Sequence, residues 1–487
     1  MRILYIDIDS LRADHLGCYG YHRNTSPYID AVAKWGVRFD NCYTSDAPCL
    51  PSRTALWSGR FGIHTGVINH GGVAAEPFIE GPDRAFHSRL GQTNWMRCLR
   101  NLSHRTATIS SFGERHSAWH WYAGFNDIHN PGFNGLDSAE QVAPAALKWL
   151  AENGREENWF LHVNFWDPHT PYRVPESYGN PFADEPLPNW LTDDIRRKHW
   201  MQSGPHSAQE VLGWDSTPPD WAKSYPRQPV TMNSMEKVRA MFDGYDAGIR
   251  YADEHVGQIF NFLADKNILD DTAIIISADH GENLGELNIY GDHQTADNIT
   301  SRLPLIVRWP GITNKPRADS AFLYHFDFAA TMIELLGGTP PEIWDARSFA
   351  AAFKSNQSAG RDSLVISQGA WSCQRSARFD DYLCMRTYHD SFHNWPDVML
   401  YNIKNDPHLL RDLANTNTDA AQRGLKIIDA WHDEMMRTAT NPIDPMQTVL
   451  SEGGPYHVRG QLPQYLERLH STNRKECAEA LAKRYQA

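Results

Sequence analysis

Two hydrophobic periods take turns along most of this chain. Ile3 to Ile8 is a nearly continuous apolar run closing on Asp9-Ser10, the pattern of a buried parallel strand that delivers polar groups at its carboxyl end. Thr25-Ser26-Pro27 then starts a helix, with Pro at the first helical position, and Gly36 stops it. Further strands are predicted at Val37 to Tyr43, Arg105 to Ser110, Trp159 to Phe165, Asp271 to Ala278 and Leu303 to Trp309. Helices are predicted from Pro51 to Gly59, Thr93 to Leu102, Ala139 to Glu152 and Phe326 to Leu336. Asn233 with Glu236 reads as a capping box, and apolar residues from Met235 to Leu263 then step by three and four, which predicts one long amphipathic helix. Strand alternating with helix implies an α/β fold, a large mostly parallel sheet sandwiched by helices.

Two stretches leave this pattern. Residues 173–232 are rich in Pro and Trp and read as an excursion from the sheet that forms a lid or rim. After Gly338-Thr339-Pro340-Pro341, Leu364 to Ser367, Ser376 to Thr387 and Val398 to Ile403 look like antiparallel strands, followed by a long helix from Asn415 to Thr438. A large α/β domain is therefore expected over 1–345 and a smaller C-terminal α+β subdomain over 346–487.

Composition narrows the class. Of 487 residues, 41% are apolar, and 17 Trp, 19 Tyr and 20 Phe exclude a disordered chain, because that much aromatic surface does not stay solvated. The longest apolar runs, such as Thr272 to Ala278, are too short to cross a bilayer. Lys plus Arg at 46 against Asp plus Glu at 59 leaves a net charge of −13, which argues against nucleic acid as a partner. Seven scattered Cys are not a disulfide framework. Reduced thiols, with no export signal ahead of the first strand, predict a cytoplasmic protein.

The polar ends of the strands carry the candidate chemistry. In open α/β sheets ligands bind beyond the carboxyl ends of the strands. Asp9 and Asp279-His280 both fall there and form a candidate metal site; the oxygen ligands suit Ca²⁺, Mg²⁺ or Mn²⁺, and the His leaves Mn²⁺ or Zn²⁺ open. Between them lies Cys49-Leu50-Pro51-Ser52-Arg53, with Gly59-Arg60 at the end of the helix that it opens.

That segment resembles the signature of the type I sulfatases of the alkaline phosphatase superfamily. Four other segments resemble the family in the same order: Ile6 to Tyr21, Trp166-Asp167-Pro168-His169-Thr170-Pro171-Tyr172, Ser277 to Glu282 with Arg302 to Gly311, and Leu400-Tyr401-Asn402 with Asn405-Asp406-Pro407. The resemblance implies that a separate maturing enzyme oxidises Cys49 to formylglycine. Its hydrate is a geminal diol: one hydroxyl attacks sulfur, and the other later loses its proton and expels sulfate. It also implies a metal, Ca²⁺ first, held by Asp9, Ser10, Asp279, His280 and the modified Cys49. Arg53 would hold the diol, His169 would protonate the leaving alkoxide, and His293 would stand where many members carry a sulfate-gripping Lys.

The chain departs from the family in places. Asp9-Ser10 replaces an adjacent Asp pair, and Asp7 shares the face of Asp9 as a possible supporting acid. The family's G-K-W-H element is missing, and His116, with Arg115, is expected to replace it. His70 and Trp166 are expected to line a sugar-binding rim, and Arg386, His389 and His393 to read a carboxylate or a second sulfate. Positive charge near the substrate is expected from His169, His293 and His116, in contrast to the acidic whole. The reading is a sulfatase acting on an O-sulfate ester, of a carbohydrate in preference to a small aryl ester, without nucleic acid or membrane and with an oligomer left open. Phosphonate monoester or phosphodiester hydrolysis is the enzymatic alternative. A catalytically silent metal- or glycan-binding chain with a free Cys49 thiol is the other.

Overall fold

The computed structural model describes residues 1–83, 85–313, 315–355 and 359–485. Its larger sheet has eight strands: β1 (Arg2–Ile8), β2 (Val37–Tyr43), β3 (Arg105–Ile109), β4 (Asp127–His129), β5 (Trp159–Phe165), β6 (Thr272–Ser277), β7 (Arg302–Arg308) and β8 (Arg317–Tyr324). Their order is β8-β2-β7-β6-β1-β5-β3-β4. All pairings are parallel except those of β7, which runs antiparallel to both β2 and β6. β1 lies in the middle, paired with β5 on one side and β6 on the other. This mostly parallel α/β sheet is the architecture that the alternation implies.

Strand β1 shows why the sheet is buried on both faces. Leu4, Ile6 and Ile8 pack into the cluster that holds Phe242, Ile249 and Val256 of the long helix. Ile3 and Tyr5, on the opposite face by the two-residue period, pack with Leu50 and Trp57 of the helix that begins at Cys49. We call these helices α1 (Cys49–Ser58) and α2 (Met235–Asp265). The start of α2 is capped by Ser234, whose hydroxyl accepts from Lys237 N, and not by the expected Asn233. Such a cap contributes about 1 kcal/mol. Asp7 and Asp9 continue the odd-numbered face of β1, so the carboxylates emerge on the side of α1.

The second sheet is antiparallel over β9 (Ser363–Gln368), β10 (Cys373–Phe379), β11 (Tyr382–His389) and β12 (Val398–Asn402). The expected single strand from Ser376 to Thr387 is a hairpin, turned at Asp380-Asp381 with Asp380 at φ +44°. Asp46-Ala47 adds to this sheet in parallel with β9. The peptide just ahead of Cys49 is thus stitched to the smaller sheet, while α1 packs on the larger one. Helix α3 (Thr418–Thr438) covers the smaller sheet. Two further helices, α4 (Leu462–Ser471) and α5 (Lys475–Tyr485), are additional to the elements expected from the sequence. No helix among the described residues is long and apolar enough to cross a membrane.

Candidate active site

The carboxyl ends of β1 and β6 meet the first turn of α1. Asp9, Cys49, Asp279 and His280 come together there, each offering one ligand atom within 4.8 Å of the others, and all are buried. His280 Nε2 lies 3.0 Å from Cys49 Sγ, 3.8 Å from Asp9 Oδ1 and 3.5 Å from Asp279 Oδ2. Its Nδ1 faces the Gly281 carbonyl at 2.8 Å, which fixes the proton on Nδ1 and turns the Nε2 lone pair into the cluster. Gly281 is needed at this bend: a Cβ there would sit 2.1 Å from the Ile299 carbonyl oxygen.

Arg53, one turn into α1, is ion-paired with three carboxylates. It reaches Asp7 through Nη1, Asp9 Oδ2 at 3.0 Å through Nη2, and lies 3.2 Å from Asp279 Oδ2 through Nε. Asp7 is not in the donor cluster. It anchors Arg53 and accepts from His162 Nε2 at 3.0 Å, so it supports the site from behind. Ser10, at φ +60°, turns its hydroxyl onto Asp9 Oδ1 at 3.1 Å and its N–H onto Asp279 Oδ1 at 3.3 Å. These two bonds position the carboxylates of Asp9 and Asp279. Ser52 Oγ donates to the Asp279 carbonyl at 2.6 Å and ties α1 to the loop after β6.

The cluster fits a divalent cation. Asp279 Oδ2 is buried with no hydrogen-bond partner, although Arg53 Nε stands beside it. Burial raises Asp279 to about 7, with Asp9 adding to burial and Arg53 opposing it. Asp9 would also be raised by burial, but the cationic charge around it, permanent on Arg53, holds it below the usual carboxylate range. Two crowded carboxylates and one imidazole lone pair are a donor set for a hard or borderline metal ion. Burial, Asp9 and Asp279 push the Cys49 thiol far up. A thiol held protonated is a poor nucleophile, so the encoded side chain does not suit chemistry at this position.

Cys49 also belongs to a second group of donors, with His169 and His293. The His293 ring lies 4.1 Å from His280 and 5.4 Å from His169, and its Nδ1 is buried without a partner. His169 directs Nδ1 to the Thr170 carbonyl, leaving Nε2 free. Burial lowers His169 to about 3 and pushes His293, His116 and His70 well below the ordinary histidine range. The expected positive charge on these rings is thus corrected: in the free protein they are neutral. The fixed cations near Cys49 are Arg53 and Arg115, whose charges act on its thiol, and Arg173 behind His169.

Cys49, His70, Arg115, His116, His169 and His293 all line one cavity of about 660 Å³. Trp166 does not. It is fully buried beneath Arg115, whose guanidinium carbon sits 5.3 Å above its ring, and it packs against His169. Its expected place on the sugar rim is corrected to a supporting one. Arg386 is paired with Asp429, His389 packs on Tyr485, and His393 bonds Gln294; none of the three lines this cavity.

Trp221 lines the cavity from the Pro/Trp-rich excursion, the stretch expected to form a rim. Other lining residues escaped the sequence reading: His206 from the same excursion, Trp371 from the turn before β10, and Tyr456 and His457 from the C-terminal tail. Arg173 donates to the His169 carbonyl at 3.2 Å and keeps Nε and Nη1 buried without partners. Its position directly after the Asp-Pro-His-Thr-Pro-Tyr segment was the available signal.

A family model described as Sulfatase matches residues 2–338. The chain belongs to the sulfatase family. Among curated relatives, the choline-sulfatase of Rhizobium meliloti is 26% identical over 351 residues, which cover 65% of this chain and 64% of that protein. The chain thus spans under two thirds of that relative's length. The N-acetylglucosamine-6-O-sulfatase of Bacteroides thetaiotaomicron is 20% identical over 508 residues, covering 93% of this chain and 89% of the relative. A sulfatase-fold structure solved with its substrate D-glucosamine-2-N,6-O-disulfate superposes with a TM-score of 0.69 at 18% identity, covering 91% of this chain and 99% of the other. The phosphonate monoester hydrolase of Agrobacterium radiobacter superposes at 0.68 and 18% identity, covering 93% and 99%. At these identities the superpositions establish the alkaline-phosphatase-like fold.

Proposed function

We propose that this sulfatase-family chain hydrolyses O-sulfate monoesters of a carbohydrate, using a formylglycine made from Cys49 by a separate maturing enzyme. The observation that carries the reading is the place of Cys49. It is the first residue of a helix, its sulfur is shared by two groups of donors, and it lies at a cavity wall. Formylglycine supplies, when hydrated, a geminal diol with one hydroxyl to attack sulfur and a second to be deprotonated. Asp9, Asp279 and His280 would hold a divalent ion, Ca²⁺ being the first choice for the two carboxylates. When bound, such an ion lowers the pKa of an oxygen nucleophile and offsets charge on the sulfate.

The chain's own residues do the rest. Unpaired N–H groups of the first turn of α1 favour an anion beside position 49. Arg53 pairs with both Asp9 and Asp279 and fixes their orientation. Arg115 brings a permanent positive charge to the cavity wall, and the unpartnered Nδ1 of His293 is free to hydrogen-bond a sulfate oxygen. His169 is placed to act at the leaving oxygen through Nε2. It is neutral in the free protein, so it must gain its proton when the anionic ester binds beside it.

Mass spectrometry of the peptide around Cys49 in active protein tests the reading. Conversion exchanges one sulfur and two hydrogens for one oxygen. Active protein that retains an unmodified thiol would overturn the proposal. Parallel turnover of a sulfate monoester and a phosphonate monoester separates it from phosphonate hydrolysis: a large preference for the phosphonate would overturn the proposal.

A further inference from the structure

A pair of histidines in the same cavity has no part in the chemistry above. His70 Nδ1 lies 3.0 Å from His457 Nε2, so one ring donates and the other accepts. His70 Nε2 is then left buried without a partner, as is His116 Nε2, and these two rings are 4.8 Å apart. His457 is held firmly. Its ring stacks on Trp371 at 4.3 Å and 17°, and Tyr456 N donates to Asn69 Oδ1 at 3.3 Å.

The tail that carries His457 is itself anchored to the cavity wall. Glu210 is fully buried and receives Arg474 Nη1 at 2.9 Å and Arg468 Nε at 3.2 Å, while Tyr465 Oη accepts from Gly204 N at 2.6 Å. Between these anchors, Val211, Leu212 and His206 line the cavity alongside Tyr456 and His457. Trp371 and His457 both lie outside residues 2–338, the stretch that the family model matches.

We infer that His457, supplied by the C-terminal tail, and His70 form a subsite for the alcohol part of the ester, that this subsite takes a neutral hydroxyl-bearing moiety, and that His457 thereby determines which sulfate esters are accepted. The inference rests on the sulfatase reading. Its chemistry follows from the pairing. Whichever ring carries the shared proton, His70 Nε2 presents either one donor or one acceptor, and a hydroxyl meets both cases. A second anionic group finds no fixed cation in the pair itself; Arg115 on the same cavity wall is the cation assigned above to the sulfate. A quaternary ammonium would need an open aromatic face or a free carboxylate. At the pair itself the Trp371 face is covered by His457 and Asp292 is engaged by His206 at 2.9 Å; Trp221, Tyr456 and Glu76 also line the cavity, so choline sulfate is one arm of the test.

The test compares kcat/KM of the matured protein for a panel of monosaccharide O-sulfates, choline sulfate and 4-nitrophenyl sulfate. It uses the natural chain, His457→Ala and His457→Gln, each also followed by thermal unfolding. The natural chain should prefer a monosaccharide sulfate. His457→Ala should lower the ratio of saccharide to aryl kcat/KM about 10- to 100-fold, chiefly through KM, because it removes the partner of a buried ring nitrogen. His457→Gln, which keeps a hydrogen-bonding group, should recover most of that ratio. An unchanged ratio in a folded His457→Ala protein, or choline sulfate as the best substrate of the natural chain, overturns the inference and leaves the sulfatase reading standing. A natural chain that turns over none of these esters overturns the sulfatase reading and the inference with it.

Discussion

Arg53 Nη2 donates to Asp9 Oδ2 at 3.0 Å, and this bond joins the first turns of α1 to the end of the central strand. The same guanidinium also serves Asp7 and Asp279, so one buried cation holds three acids that sit on two strands. Replacing it with an apolar residue of similar length leaves those charges unpaired. Arg53→Met should therefore destabilise the fold by about 3–5 kcal/mol, measured by urea unfolding. A loss below about 1 kcal/mol would show that Arg53 does not hold the acids.

Metal binding should be visible in stability as well as in turnover. A ligand present at 100 to 1,000 times its Kd stabilises by about 2.7–4.1 kcal/mol. Chelation of divalent ions should lower the unfolding midpoint of the natural chain, and added Ca²⁺ should restore it. In Asp9→Asn the difference between chelated and Ca²⁺-loaded protein should largely vanish. An equal difference in the variant would place the ion elsewhere.

His169 should matter in proportion to the need for a proton on the leaving oxygen. His169→Gln should cost about 10²–10⁴-fold in kcat with an alkyl sulfate. With 4-nitrophenyl sulfate, whose leaving group departs without help, the cost should be much smaller. Equal losses on both would remove the acid role.

His64 predicts a pH effect far from the chemistry. Its Nδ1 faces Asp345 at 2.8 Å and its Nε2 faces the Met435 carbonyl at 2.9 Å, clamping α3 onto the α/β domain. Burial alone would lower its pKa, but the bond to Asp345 outweighs burial and raises it above 6.5. A histidine raised on folding stabilises fully below its unfolded value, and that contribution is lost as pH rises through the folded value. The gap in unfolding free energy between the natural chain and His64→Gln should be larger at pH 6 than at pH 8.5. A gap independent of pH would show that His64 does not titrate with folding.

What the sequence made legible, and what it left hidden, follows from how each group is placed. Asp9 and Asp279-His280 end apolar runs, and parallel strands bring such ends together, so their convergence was readable from pattern. Cys49 and Arg53 were readable from a motif. The neutral state of His169 and His293 was not, because residue type gives a pKa and only burial shifts it. Trp166 was misplaced for a similar reason: its Arg115 partner lies 51 positions earlier by subtraction of their residue numbers, and nothing local marks the pair. His206, Trp371 and His457 come from loops and a tail with no period. The helices that anchor the tail were readable in principle, since Tyr465, Leu469, Ala478 and Leu481 are buried at helical spacing.

The pairing of β1 with β6 also bears on time. Cys49 is buried, and the His280 that faces it lies 231 residues further along the chain. At about 5–20 residues per second, synthesis of that intervening stretch takes roughly 10–50 s. Throughout it the central strand lacks one of its two neighbours and Cys49 has not met its lid of donors. The maturing enzyme of the proposed function would have that interval to reach the thiol, and closure of the sheet would end it.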